Sequence, residues 1–369
     1  MTEKKSSRIF TFDLLRGYFL VAIIINHLAF YPNGLDWWNG RGLLYVSAAE
    51  GFFLISGIVL GIVRGSKLID KPFKFVATIL LKRSLQLYVT AIILMLSFTF
   101  IGWLFLDNPG LKAGIRPPDE NIFRIIWGAL TFEYIYGWAD YLRLYAIFIL
   151  FSPIAMWLLR RKLWYVVLAV SIVVWTQFHN SPLGSDELSQ VFSWQLIFFA
   201  GLIIGFHWNQ ISNWWCNLSL TLRKTIIGIT VPIAVLTMVA NYVVVFGQSA
   251  LGLPFDPLST INTTLSPYFD KESLPVARLA LFAVWFGASF WLFHRFEKHI
   301  MRWLGWLLVP FGHNSLYVYT LHAVLVFFVH LLIYDPTSSL ILNFILSASA
   351  VMLIWLAIRY KVLMNIIPR

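Results

Sequence analysis

Ten apolar runs, each close to the ~20 residues that cross a hydrocarbon core as a helix, punctuate this chain: residues 10–30, 45–64, 75–106, 141–159, 163–178, 192–208, 225–247, 276–294, 307–333 and 339–360. Nothing else in the sequence restricts the fold so strongly. In lipid every backbone N–H and C=O must find a partner within its own structure, so runs of this length can only be helices packed on one another. Composition agrees: of 369 residues, 59% are hydrophobic and 12% charged, against about 25% charged in a soluble domain. The expectation is an all-α, polytopic membrane bundle of about ten transmembrane helices, forming one domain over residues 1–369. Ile122 to Tyr136 is apolar but short. Counting it as a span would invert every later loop, so it reads as a re-entrant or interfacial helix.

The formal net charge of +11 is distributed in clusters, and the clusters give an orientation. With the N-terminus in the cytoplasm, that side collects Lys4, Lys5 and Arg8; Arg64, Lys67, Lys71 and Lys74; Arg160, Arg161 and Lys162; Arg223 and Lys224; Arg295, Lys298 and Arg302; and Lys361 and Arg369. The opposite loops hold most of the acids, among them Asp36, Asp107, Asp119, Glu120, Asp186, Asp270 and Glu272. This is the positive-inside pattern, and it places both termini in the cytoplasm. Dispersed basic residues without a recognition motif exclude a nucleic-acid partner. Cys216 is the single cysteine, which leaves neither an internal disulfide nor a cysteine metal site, and no metal is expected. The first run has no small-residue cleavage site and contains Arg16, so it reads as a retained span.

Ionisable residues inside spans are rare because burial of charge is unfavourable, and by default they mark function. Arg16 and His27 lie in the first run, about 16 Å apart along a helix at ~1.5 Å per residue. Threading places Arg83 of the third run level with Arg16, near the cytoplasm. Glu50 of the second run and His322 of the ninth come level with His27 on the outer side. Asp140, Trp194 and Gln195 fall near the outer ends of their spans, where they could line an upper chamber. Two layers result: cations suited to phosphates below, and an imidazole suited to acid–base or acyl-acceptor chemistry above. Glu50 with His27 is the economical pairing, because a carboxylate orients an imidazole and raises its basicity. Bland readings stay open on spacing alone. A histidine between helices can serve only as a hydrogen-bonder, and Arg16 or Arg83 can snorkel to the interface. Gly57, Gly61 and Gly65, four apart on the second run, point to a close helix contact. Asn217-Leu218-Ser219 and Asn262-Thr263-Thr264 match a glycosylation pattern that is common by chance.

Several segments, in order, resemble one family. Phe12-Asp13-Leu14-Leu15-Arg16-Gly17 followed by Asn26-His27 is similar to the first-span signature of the transmembrane acyltransferase superfamily. Ser47-Ala48-Ala49-Glu50-Gly51-Phe52-Phe53-Leu54-Ile55-Ser56-Gly57 and Lys82-Arg83-Ser84-Leu85-Gln86-Leu87-Tyr88 resemble the second and third spans of its OpgC-type branch, the succinyltransferases of osmoregulated periplasmic glucans. Tyr136-Gly137-Trp138-Ala139-Asp140-Tyr141 and Phe192-Ser193-Trp194-Gln195-Leu196 look like middle segments of that branch. Asn314-Ser315-Leu316-Tyr317-Val318-Tyr319, then His322, is similar to a penultimate-span motif shared with acyltransferase family 3. Around residues 210–300 the likeness is hydropathy alone.

The resemblance implies transfer of an acyl group from cytoplasmic acyl-CoA to a glycan hydroxyl outside, with succinyl-CoA or acetyl-CoA the favoured co-substrate and no metal. By position it makes His27 the catalytic histidine and Arg16 and Arg83 the basic pair near the donor. Glu50 is expected as the orienting carboxylate, partly on the depth argument. Asp140, Trp194, Gln195, Tyr319 and His322 are expected around the carbohydrate acceptor. The competing expectation is a transporter or flippase for a sugar or lipid-linked sugar, in which the same charges would line a path. The absence of an internal repeat weakens it.

Overall fold

The computed structural model describes residues 9–177, 186–251, 255–333, 339–365 and 367. Among them it contains helices and turns and no strand. The helices are α1 (Phe10–Leu28), α2 (Asp36–Asn39), α3 (Ala48–Leu60), α4 (Phe73–Trp103), α5 (Ile122–Thr131), α6 (Asp140–Arg160), α7 (Trp164–Thr176) and α8 (Asp186–Phe206). They continue as α9 (Trp208–Asn217), α10 (Leu220–Leu251), α11 (Phe255–Leu265), α12 (Val276–Arg295), α13 (Glu297–His313), α14 (Ser315–Leu332) and α15 (Leu340–Arg359).

Eight helices among the described residues are long and apolar enough to cross a membrane, nine if the pair α8–α9, bent by 70° at His207, is one span. Four apolar runs deserve comparison with their helices. The run 163–178 yields α7, a 13-residue helix. The run 192–208 ends at the α8–α9 bend, while 307–333 is divided at Asn314 into the end of α13 and the whole of α14. The short segment after residue 121 forms α5, ten residues long, with Ile125, Gly128 and Ala129 buried and Phe123 and Trp127 exposed. One wet or lipid face on so short a helix is what an interfacial element needs.

α1 is the hub. Fifteen of its residues are buried, and it packs on α3, α12, α13, α14 and α15. Two helix pairs approach closely because glycines remove the side chain at the contact. A Cβ at Gly57 or Gly61 of α3 and the π-turn that extends it would collide with the carbonyl oxygens of Phe198 and Leu202 on α8. Reciprocally, one at Gly201 or Gly205 would strike those of Leu54 and Ile58. Between α1 and α13 the same holds for Gly17 against Leu308 and for Gly312 against Asp13. Without a hydrophobic drive between lipid-bathed helices, close backbone approach supplies the dispersion energy that fixes their rotation. Those rotations decide which way every polar residue on α1 and α3 faces. Gly65, by contrast, meets only the side chains of Phe206 and Met156.

Candidate functional site

At one end of α1, Arg16 opens onto a polar cavity of about 880 Å³ that also includes Arg64, Lys67, Asn209, Ser212 and His313. A second lobe of about 440 Å³ shares Arg16, Arg64 and His313 and continues to Lys82, Arg83, Gln86, Ser56 and Tyr145. Arg16 and Arg83, predicted at one depth from separate spans, therefore face one space. Arg16 is 8% exposed and lies 3.6 Å from Asp13, one turn earlier on α1. It does not snorkel into lipid. Arg64, Lys67 and Lys82 add cationic charge that sequence depth alone did not single out. Five cations around a polar cavity suit a polyanion, which such groups hold by charge-assisted hydrogen bonds.

At the other end of α1 the chemistry is arranged differently. His27 Nδ1 lies 2.8 Å from His322 Nε2 on α14, and His322 Nδ1 lies 2.9 Å from the carbonyl oxygen of Tyr319. A carbonyl only accepts, so the neutral His322 carries its proton on Nδ1 and presents a lone pair at Nε2. His27 must then donate from Nδ1, which leaves its own Nε2 as the free lone pair. His322 is fully buried and His27 half-buried, so the outward-facing ring is the one with the free nitrogen. The pair is a base with a fixed tautomer, set by a backbone carbonyl two bonds away in the relay.

Asp140, at the first turn of α6, accepts a hydrogen bond from the Tyr319 hydroxyl at 3.1 Å. Tyr141 stacks on Tyr319 with ring centroids 5.8 Å apart, and Tyr319 contacts His322 at 4.8 Å. These rings tie α6 to the histidine pair. The Lys271 ammonium lies 5.9 Å from the Tyr141 ring centroid, on a residue exposed at the surface. The Tyr141 phenol raises Lys271 above the ordinary lysine value; burial opposes, and Glu50 and Asp140 add to the rise. Lys112 donates to the Gly137 carbonyl at 2.8 Å from a second loop.

The expected pairing of Glu50 with His27 is not what forms. Glu50 is fully buried and its Oε1 accepts from Arg278 Nε of α12 at 2.6 Å, with Arg278 Nη2 in ion-pair contact with the same oxygen. Its Oε2 accepts from the Ser47 backbone N–H at 3.1 Å and from the Ser47 hydroxyl, closing a capping box at the start of α3. α3, rotated by its glycine contact with α8, turns Glu50 toward α12. Two further residues expected at the acceptor face elsewhere. Gln195 donates to the Ser171 carbonyl of α7 at 2.7 Å and to Phe192 at 3.1 Å, fastening α8 to α7. Trp194 is 2% exposed, packed behind Tyr141 and against Phe53 at 5.8 and 5.3 Å. Arg278 was missed although the rule that singled out Arg16 applies to it: it is an arginine inside an apolar run. Lys112, Tyr141 and Lys271 carry no such signal, since only the fold brings their loops together.

Between the two ends lies a layer of rings. Phe52 stacks against Tyr319 at 6.3 Å, and Phe53 contacts Tyr141 at 5.4 Å, Phe148 at 5.7 Å and Tyr145 at 6.5 Å. Phe52 and Phe53 are buried. A model of the family described as "OpgC protein" matches residues 8–365. Comparison with curated proteins and with solved structures returns no match.

Proposed function

Because the chain belongs to the OpgC family, we propose that this membrane acyltransferase moves an acyl group from cytoplasmic acyl-CoA to a hydroxyl of an extracytoplasmic glycan. Succinyl and acetyl are the favoured groups. The observation that carries the reading is the contrast along α1, a cationic cavity at Arg16 and a histidine base of defined tautomer at His27, about 16 Å apart at ~1.5 Å per residue. Donor phosphates occupy the cavity of Arg16, Arg64, Lys67 and Arg83. The pantetheine arm runs through the inner lobe past Ser56 and Tyr145, displacing the Phe52 ring to bring the thioester to His27.

There the free Nε2 takes the proton of the acceptor hydroxyl as its oxygen attacks the thioester carbonyl. The C–S bond breaks, the departing thiolate takes the proton back from the imidazolium, and an ester and free CoA result. His322 and the Tyr319 carbonyl hold the base in its tautomer. Asp140, near the pair, favours the imidazolium as it forms. Glu50, bonded to Arg278, supports this geometry from α3 and takes no proton.

The experiment uses protein in nanodiscs, an acyl-CoA and a glucan acceptor. Release of CoA and acylation of the glycan are expected, and His27→Ala lowers turnover by about 10³-fold while saturable acyl-CoA binding persists. Full turnover in that variant would end the mechanism. Absence of any acyl-CoA binding would favour a transporter instead.

A further inference from the structure

The groups around His27 carry a charge imbalance that acyl transfer to a neutral sugar does not use. Of the acids near it, Glu50 is bonded to Arg278 and Asp140 accepts from Tyr319. Two ammonium groups, Lys112 and Lys271, face the single Asp140 carboxylate, whose tyrosine hydrogen bond leaves it charged, so one positive charge is in excess. A lysine on a surface loop is ordinarily a mobile, solvated charge. The loop that carries Lys271 is held in place.

The segment Ser266–Leu274 is pinned along its length. Phe269 stacks on Tyr45 at 4.5 Å with the rings 4° from parallel, and its carbonyl accepts from Arg278 at 2.7 Å. Asp270 accepts from the Ser273 backbone at 2.7 Å and hydroxyl at 2.6 Å. The Glu272 carbonyl accepts from Ser193, and that of Leu274 from Trp175 at 3.1 Å. Four neighbouring parts of the bundle thus hold the backbone on both sides of Lys271 and aim its ammonium over Tyr141. From Tyr141 the aromatic contacts lead through Tyr319 and His322 to His27.

We propose that Lys271, assisted by Lys112, holds an anionic group of the substrate, a carboxylate or phosphate, while the reacting hydroxyl and carbonyl meet at His27. The inference rests on the acyl-transfer reading and adds to it the charge of what is transferred or modified. Two sources supply the same chemistry. A dicarboxylic acyl group, entering thioester last, would carry its distal carboxylate past His27 toward the lysines. An acidic substituent on the glycan would reach the same place from outside. An ammonium positioned by the held backbone discriminates by charge-assisted hydrogen bonding, which is about twice as strong as its neutral counterpart.

The test crosses two donors, acetyl-CoA and succinyl-CoA, with two acceptors, a neutral glucan oligosaccharide and its carboxymethylated form, in nanodiscs. For Lys271→Gln the loss of kcat/KM with the anionic member of one pair should exceed the loss with its neutral member by about tenfold, one charge-assisted bond's worth. Lys271→Arg should recover most of that selectivity. A selective loss that follows the donor identifies the acyl carboxylate; one that follows the acceptor identifies the glycan's acid. Equal losses in all four pairings, or none, would overturn the inference and leave Lys271 as a support for Tyr141. Should Lys271→Gln fail to fold, Lys112→Gln takes its place, with a smaller selective loss of about threefold expected and the same equal-loss outcome overturning it. A wild-type protein that transfers nothing in any pairing would overturn the acyl-transfer reading, a result distinct from lost selectivity.

Discussion

The two ends of α1 handle charge in opposite ways. Around Arg16 the cations face a cavity of about 880 Å³ and its inner lobe, where water can exchange for a ligand's phosphates. Around His27 the polar groups are joined to one another: His27 to His322, His322 to Tyr319, Tyr319 to Asp140, Glu50 to Arg278 and Ser47. The first arrangement suits binding, since long flexible cations can settle on a ligand of variable pose. The second suits chemistry, because a base works only when its proton and lone pair are held in known places. Within one bundle, the Arg16 end presents its charges to open space and the His27 end bonds its central groups to one another, with Lys112 and Lys271 at its rim.

Three substitutions probe that contrast, in falling order of effect. Glu50→Gln strands Arg278 in a buried site, and removing one partner of a buried ion pair costs about 3–5 kcal/mol. It should lower the unfolding midpoint in detergent and abolish expression of folded protein at growth temperature, whereas replacing Glu50 and Arg278 together by apolar residues should restore much of the stability. Equal stability of Glu50→Gln and wild type would show that the His27 end does not depend on tight bonding. His322→Gln removes the relay that sets the His27 tautomer and should slow turnover by about 10²-fold, with donor binding unchanged; a loss confined to KM would place His322 in binding instead. Arg83→Gln at the looser end should weaken acyl-CoA binding by about tenfold and leave turnover at saturating donor nearly intact. If turnover fell with affinity unmoved, the two ends would not divide the work as their geometry implies.

How much of this could be read in advance depends on the kind of information each residue carries. Position along a helix follows from counting: Arg16 and Arg83 open onto one cavity, and His27 and His322 meet within hydrogen-bonding distance, as depth implied. Direction around a helix axis does not follow from counting. It is set by which faces pack, and here glycine contacts of α3 with α8 fix the rotation. Hence counting pairs Glu50 with His27 where the fold pairs it with Arg278, and it sets Gln195 near Asp140 where the fold bonds it to α7. Loop residues carry neither kind of signal. Lys112 and Lys271, 159 positions apart (271 − 112), become neighbours of one tyrosine–histidine cluster only when the whole bundle closes.

The ring layer of Phe52 and Phe53 bears on the cell as a whole as well as on the reaction. With polar cavities entering the bundle from the Arg16 end and the His27 cluster beyond, these rings with Tyr319 and Tyr141 stand between the two. A water-filled thread through that point would let protons run down the membrane potential, about 2.3 kcal/mol released per charge per 100 mV. Under the proposed reaction the layer has to part for the acyl-bearing arm while never opening a continuous wet path. That requirement favours rings that close around the arm, as large apolar side chains do, and makes the aromatic layer a seal on the proton-motive force.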